Sequence, residues 1–425
     1  MKLQRVCVIG AGAAGLVAAR HLTSQPSIFD VSVFEQASFI GGTWVYTENT
    51  GTDEHGLPIH SSMYQNLRTN LPKEIMSFPD FPFPPVWQSF MYHHQVLRYL
   101  EDYATKFGLY KYIYFDSVVR SVRPLDKKGS CNPQWEVIIN DVGTKKSKVL
   151  QFEAVIVCNG HYSVPFVPVI PGMESFPGLV IHSHDYRQPE KFQEKAVVIL
   201  GGGSSGLDIC LEVAKCAEVV YLSHRKTLTC ELPDNVEQHC PMSSVSSDGT
   251  VHFDGGHQRK ADVILLCTGY NCSFPFLDDE CGIQVTNNRV THLYKHIFNT
   301  KYPTMSFIGL GTRVCPFPQF SLQAQYIAAV LSGQKHLPSE GEMNTDEEDD
   351  FQEKISRGLQ EKHAHLLGDR QWEYNNNIAH LAGADRLSSF YESIYNHVHH
   401  CRTNSLMNYK NDEFELLSDG RWTEV

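Results

Sequence analysis

No two of the twelve cysteines stand in a C-x-x-C pair, so the 425-residue chain carries neither a thioredoxin-type redox couple nor the paired thiolates of a four-cysteine zinc site. The thiols are expected to be buried and free. No run of about 18 apolar residues occurs, which argues against a transmembrane anchor. The closing NDEFELLSDGRWTEV is too polar to enter a bilayer. A basic surplus is missing as well. The formal net charge of −12 argues against nucleic acid as a partner, because neutralising phosphates needs a basic face. What remains, 42% hydrophobic and 20% charged residues, is the composition of a soluble globular chain long enough for two domains.

Against these absences stands CVIGAGAAGLVAAR, residues 7–20. Lys2, Arg5 and the apolar run could be taken for a leader peptide, but the surrounding pattern reads better as a nucleotide site. LQRVCVIG suits a buried parallel strand, and AAGLVAARHL has helical composition. Between them lie Gly10, Gly12 and Gly15. The first allows the tight turn, the second lets the backbone approach a pyrophosphate, and the third lets helix and strand pack closely. The turn residues Ala13 and Ala14 open the helix, whose N-terminus favours an anion. The next strand, DVSVFEQ, ends at Glu35 and Gln36. Glu35 stands about 20 residues past Gly15, the spacing of the acid that binds a ribose hydroxyl. Cleaving this segment would destroy the site, so secretion is not expected and a cytoplasmic location is.

The plan recurs in EKAVVILGGGSSGLDICLEVAK, with Gly201, Gly203 and Gly206, the helix-opening Ser204 and Ser205, and Asp208. Here the following strand ends in Ser223, His224 and Arg225. An acid at this place would repel a 2'-phosphate that an arginine would bind, so the second nucleotide is expected to be NADPH. Two adjacent nucleotide sites point to a flavoenzyme in which NADPH passes a hydride to FAD.

Further stretches carry a family likeness. FPGLVIHSHDY sets Phe176, Gly178, His182 and Tyr186 in the pattern FxGxxxHxxxY, which resembles the signature of flavin-containing monooxygenases. GGTW at 41–44, NLRTNLPKEIMSFPDFPFP from Asn66, CTGY ending at Tyr270 and FIGLG...PFP near the end resemble the same family, in its order. The likeness spans roughly residues 3–335 and is greatest to the shorter insect and plant forms, among them insect enzymes that N-oxygenate alkaloids.

The resemblance implies that reduced FAD reacts with O2 to give a C4a-hydroperoxyflavin, which passes one oxygen atom to a soft nucleophile such as a tertiary amine or thioether. It places Asn70 beside flavin and nicotinamide as the residue stabilising that intermediate. A carboxamide both donates and accepts without titrating near neutral pH. Gly42, Thr43, Trp44 and Thr69 are expected along the flavin, and Thr268, Gly269 and Tyr270 where the chain crosses back. Gln323 is expected either toward the flavin or as a polar residue on an amphipathic helix. His182 and Tyr186 are expected to organise the domain crossing or touch NADPH and not to act as catalysts, since oxygen transfer to an amine needs no basic side chain.

The expected architecture is α/β, with two Rossmann-like domains. An NADPH domain (166–271) interrupts an FAD domain made of 1–165 and 272–425, with turn signals at both crossings. RGLQEKHAHLL and RLSSFYESIYNHV read as helices. Residues 346–350 read as an exposed acidic loop. HVHHC, with His397, His399, His400 and Cys401, reads as a solvated helix face, so no metal is expected. Expected partners are O2 and a small nucleophilic substrate, and a homodimer is left open. Two rival activities stay open: a peroxide-releasing NADPH oxidase and a Baeyer-Villiger oxygenase.

Overall fold

The computed structural model describes residues 3–125 and 132–425, so Lys2 and Cys131 lie outside the described residues. Two parallel sheets organise the chain. Strand Gln4–Ile9 pairs in parallel with Phe29–Phe34 on one side and Ala154–Val157 on the other. Ile113–Tyr114 extends this sheet at one edge, and Met305–Phe307 with two short antiparallel strands extends it at the other, giving seven strands. Its central strands, such as VCVI and AVIV, are apolar throughout because both faces are covered, one by helices and the other by the antiparallel sheet of Ser117–Pro124, Trp135–Asp141 and Ser147–Phe152. Helix Ala13–Thr23 lies against one of these faces and against helix Pro316–Leu331. It buries Leu16, Val17, Ala18, Ala19 and Leu22, the alanines permitting close approach.

The second sheet has five parallel strands, in the order Val236–His239, Val219–Ser223, Ala196–Leu200, Val263–Leu266, Leu179–His182. All five fall between the strands Ala154–Val157 and Leu293–Tyr294 of the first sheet. One α/β unit is therefore inserted into another. The two connecting segments run side by side: Phe166 N–H donates to the Gly269 carbonyl at 2.9 Å and Asn271 N–H to the Val164 carbonyl at 2.8 Å.

The C-terminal region reaches across both units. A single apolar cluster gathers Tyr64, Ile75 and Phe90 with Val197, Ile199 and Leu222 of the second sheet. It also holds Tyr391, Ile394, Val398, Tyr409 and Phe414 from the end of the chain.

Two sequence expectations need correction, while HVHHC lies on a helix, Ser389–Asn404, as expected. The acidic stretch 346–350 is helical, inside Glu340–Ser356, which Ser339 and Glu342 open with a reciprocal capping box. Its carboxylates are paired: Asp346 with Lys295, Glu347 with Arg289, Asp350 with Lys354. RGLQEKHAHLL is not an α-helix; it holds only a 3-10 turn, Glu361–His363, because the chain there bonds to 312, with Thr312 N–H on the His365 carbonyl. Of HVHHC, His397 Nε2 meets Cys401 Sγ at 3.4 Å and the Glu424 carboxylate at 3.0 Å, while His399 and His400 are exposed. Among the described residues no helix is long and apolar enough to cross a membrane.

Candidate functional site

The two glycine turns have nearly the same geometry. Gly10 (φ +100°) and Gly201 (φ +121°) occupy backbone conformations that side chains avoid. A Cβ on either would stand 2.7 Å from the Cys158 carbonyl oxygen or 2.3 Å from that of Cys267. A Cβ on Gly15 would lie 1.8 Å from the Gly10 oxygen, and on Gly206 1.9 Å from the Gly201 oxygen. The helices could not pack so closely with any larger residue. Gly12 and Gly203 begin the helices at (−74°, −173°) and (−77°, −173°), with no side-chain cap and no acid in the first turn. The N–H groups of Ala13, Ala14 and Gly15 in one helix, and of Ser204, Ser205 and Gly206 in the other, are thus left for an anion.

Around the first turn, a Cβ on Gly12 would meet only Gly42, at 3.6 Å. The backbones of Gly12 and Gly42 therefore form a cradle of bare chain that a side chain would fill. Glu35 is buried at the end of the neighbouring strand, accepting from Ala11 N–H at 2.7 Å and Ala37 N–H at 2.9 Å. Burial raises its carboxyl while these bonds lower it. The 3-10 turn Gly42–Trp44 sets the Trp44 ring edge-on to Phe317 at 6.2 Å, and the Thr43 carbonyl accepts from Ser61 at 2.9 Å. These features fit a dinucleotide with a ribose diol, and FAD would lie along them.

The second turn lacks the acid. Arg225 is exposed and unpaired among the described residues, beside His224, whose ring approaches Gly202 and bonds Gln238 at 3.1 Å. The site therefore presents a cation where the first presents a carboxylate, which fits the 2'-phosphate of NADPH.

Three residues assigned from sequence to the cofactors are instead engaged inside the chain. Ser223 Oγ is fully buried, accepting from Met242 N–H at 2.8 Å and donating to the Cys240 carbonyl at 3.1 Å. Asp208 accepts from Tyr64 at 3.0 Å and pairs with Lys410 at 2.6 Å. Gln323 is fully buried, accepting from Gly309 N–H and donating to Tyr374, so it holds the loop at 309.

Asn70 is different. Thr69 pairs with Met91 through N–H to carbonyl at 2.8 Å and through Oγ1 at 3.0 Å, which fixes the backbone just before it. The Asn70 side chain is exposed and has no hydrogen-bond partner among the described residues, so its donor and acceptor are both free.

The signature residues are bonded within the inserted unit, at its crossing and beside its first helix. His182 Nε2 bonds the Gly269 carbonyl at 3.1 Å, and its ring meets Tyr270 edge-on at 5.3 Å. Thr268 Oγ1 donates to the Phe166 carbonyl. Tyr186 donates to Glu212 at 2.7 Å. Sequence reasoning missed Arg187, which follows the signature and is only 3% exposed. Its guanidinium donates to the carbonyls of Thr47, Asn49 and Ser61 on one side and of His184 and Tyr186 on the other. Nothing in its local sequence signals this role. His60, His161 and His182 are all pulled down to about 4 by burial, so this region holds neutral imidazoles at physiological pH.

With this geometry in hand, the sequence matches the family described as flavin-binding monooxygenase-like over residues 3–230 and 228–391. It is similar to the Arabidopsis thaliana flavin-containing monooxygenase FMO GS-OX5, 42% identical over 89% of this chain and 85% of that protein. Among solved structures it is similar to S-allyl-L-cysteine S-oxygenase from Allium sativum, at TM-score 0.89 and 35% identity over 97% of this chain and 96% of the other. It is also similar to Tmm from a Pelagibacter species, at TM-score 0.88 and 26% identity over 99% and 96%.

Proposed function

The chain belongs to the flavin-binding monooxygenase-like family, and from that premise we propose that it uses FAD and NADPH to transfer one oxygen atom from O2 to the sulfur of a small thioether or the nitrogen of a small amine. Bound FAD supplies oxygen activation and bound NADPH supplies the hydride. The observation that carries the reading is the pair of matched, uncapped glycine turns, ending in Glu35 at one site and Arg225 at the other. Sulfur as an acceptor is supported by the S-oxygenase among the structural relatives.

The chain's residues then divide the work. Gly12, Gly42, Trp44 and Glu35 hold FAD, and the segment 201–206 with His224 and Arg225 holds NADPH. The unpaired carboxamide of Asn70 orients the reacting groups. Neutral His60, His161 and His182 bring no imidazolium proton to this region. Arg187 keeps the two units aligned, and the His182–Gly269 bond fixes the crossing within the inserted one. The domain boundaries fall at the paired crossings near 165 and 271.

Reaction under 18O2 with a thioether and a tertiary amine is the direct test. One labelled oxygen per product and one NADPH per turnover are expected. Stoichiometric hydrogen peroxide with no labelled product would place the protein with the oxidases, and conversion of a ketone to its ester would mark a Baeyer-Villiger enzyme. Specificity for the coenzyme is tested separately. Arg225→Ala should raise KM for NADPH by about tenfold, the loss of one charge-assisted contact, and leave KM for NADH within a factor of about two. Equal effects on both coenzymes would remove the 2'-phosphate assignment.

A further inference from the structure

The C-terminal helix Ser389–Asn404 ends against the second glycine turn. Arg402 Nη1 donates to Ser204 Oγ at 3.1 Å. Ser204 is the first residue of the helix Ser204–Val213, so the guanidinium stands beside that helix's uncapped N-terminus. Among the described residues Arg402 has no carboxylate partner. The nearby carboxylate one helical turn on, Asp208, is already taken by Lys410 at 2.6 Å and Tyr64 at 3.0 Å. Arg68 lies against the Lys410 carbonyl and bonds Asn411 at 3.3 Å. Glu212, a further turn along, is buried and bonded by Tyr186. Arg68 and Arg402 thus lie near Lys410, which alone of the three pairs with Asp208, leaving positive charge at a helix end that already favours anions.

We propose that Arg402 is a pyrophosphate ligand of NADPH, delivered to the second glycine turn by the C-terminal helix. This rests on the reading of that turn as the NADPH site. A guanidinium has five N–H donors in a planar fork, and Ser204 accepts from one of them. The others suit phosphate oxygens and leave the geometry bidentate. The packing accounts for its delivery: Tyr391, Ile394 and Val398 seat the helix in the apolar cluster of the second sheet, and Lys410 on Asp208 fastens the turn that follows. The C-terminal region is then part of coenzyme binding, although it contains neither glycine motif.

Calorimetric titration of FAD-loaded enzyme with two probes tests this. NADP+ carries both the pyrophosphate and the 2'-phosphate; adenosine 2'-monophosphate carries only the latter. Arg402→Ala should weaken NADP+ about tenfold and leave adenosine 2'-monophosphate within about twofold. Arg402→Lys, keeping the charge without the fork, should lose about threefold for NADP+. Arg225→Ala should weaken both probes. An unchanged Kd for NADP+ in Arg402→Ala would overturn the proposal. So would equal weakening of both probes, which would mean that Arg402 only shapes the domain. Failure of the unsubstituted enzyme to bind NADP+ would instead remove the NADPH reading on which the proposal stands.

Discussion

Gly12→Val should purify as a folded, colourless protein. The backbone at Gly12 (φ −74°, ψ −173°) is open to any residue, and a Cβ there meets nothing in the chain closer than Gly42 Cα at 3.6 Å. The fold therefore has no objection to the substitution. The valine methyls, however, would stand in the cradle between Gly12 and Gly42, where the pyrophosphate of FAD has to approach bare backbone. Flavin content should fall below about a tenth of the unsubstituted value, with far-ultraviolet dichroism unchanged. The contrast is Gly15, where even a single Cβ would stand 1.8 Å from the Gly10 carbonyl oxygen and disturb the fold itself. A yellow Gly12→Val protein with a full complement of flavin would mean that the pyrophosphate does not pass here.

Asn70→Ala should separate oxygen transfer from the steps before it. The side chain is exposed, unpartnered and set by the Thr69–Met91 pairing, so its removal leaves the chain's own hydrogen bonds intact. Flavin binding and reduction by NADPH should persist. Oxygenated product should fall by about 100-fold, the usual scale for deleting one preorganised polar group at a reacting centre. The NADPH consumed should appear as hydrogen peroxide. Product yield equal to that of the unsubstituted enzyme would leave Asn70 as a turn residue ahead of Leu71 and Pro72.

What could be read from the sequence was local chemistry. Each glycine turn depends on contacts within one strand–turn–helix unit, so Gly10, Gly15, Gly201 and Gly206 declare their roles by spacing alone. Glu35 and Arg225 stand just past the ends of their strands, as the spacing implies, and on that placement rest the contacts proposed for them. The features that escaped depend on partners far along the chain. Asp208 looked free beside the second turn, yet Lys410, some 200 residues on, occupies it. The run 346–350 looked like a solvated loop because its partners Arg289 and Lys295 lie 58 and 51 residues away, although Lys354 stands one turn past Asp350 and Ser339 and Glu342 spelled out the capping box that starts its helix. Arg187 and Arg402 have no motif around them. Their significance appears only when carbonyls at 47–61 and the hydroxyl of Ser204 are brought to them by folding.

The central claim is oxygen transfer through a lasting reduced-oxygen state, and rapid-mixing absorbance tests it most directly. NADPH-reduced enzyme is mixed with oxygenated buffer and followed across the flavin spectrum. The account predicts a transient band, distinct from reduced and oxidised flavin, that decays faster when a thioether or tertiary amine is added. Direct return to oxidised flavin, with one hydrogen peroxide per NADPH and no response to either nucleophile, would contradict it.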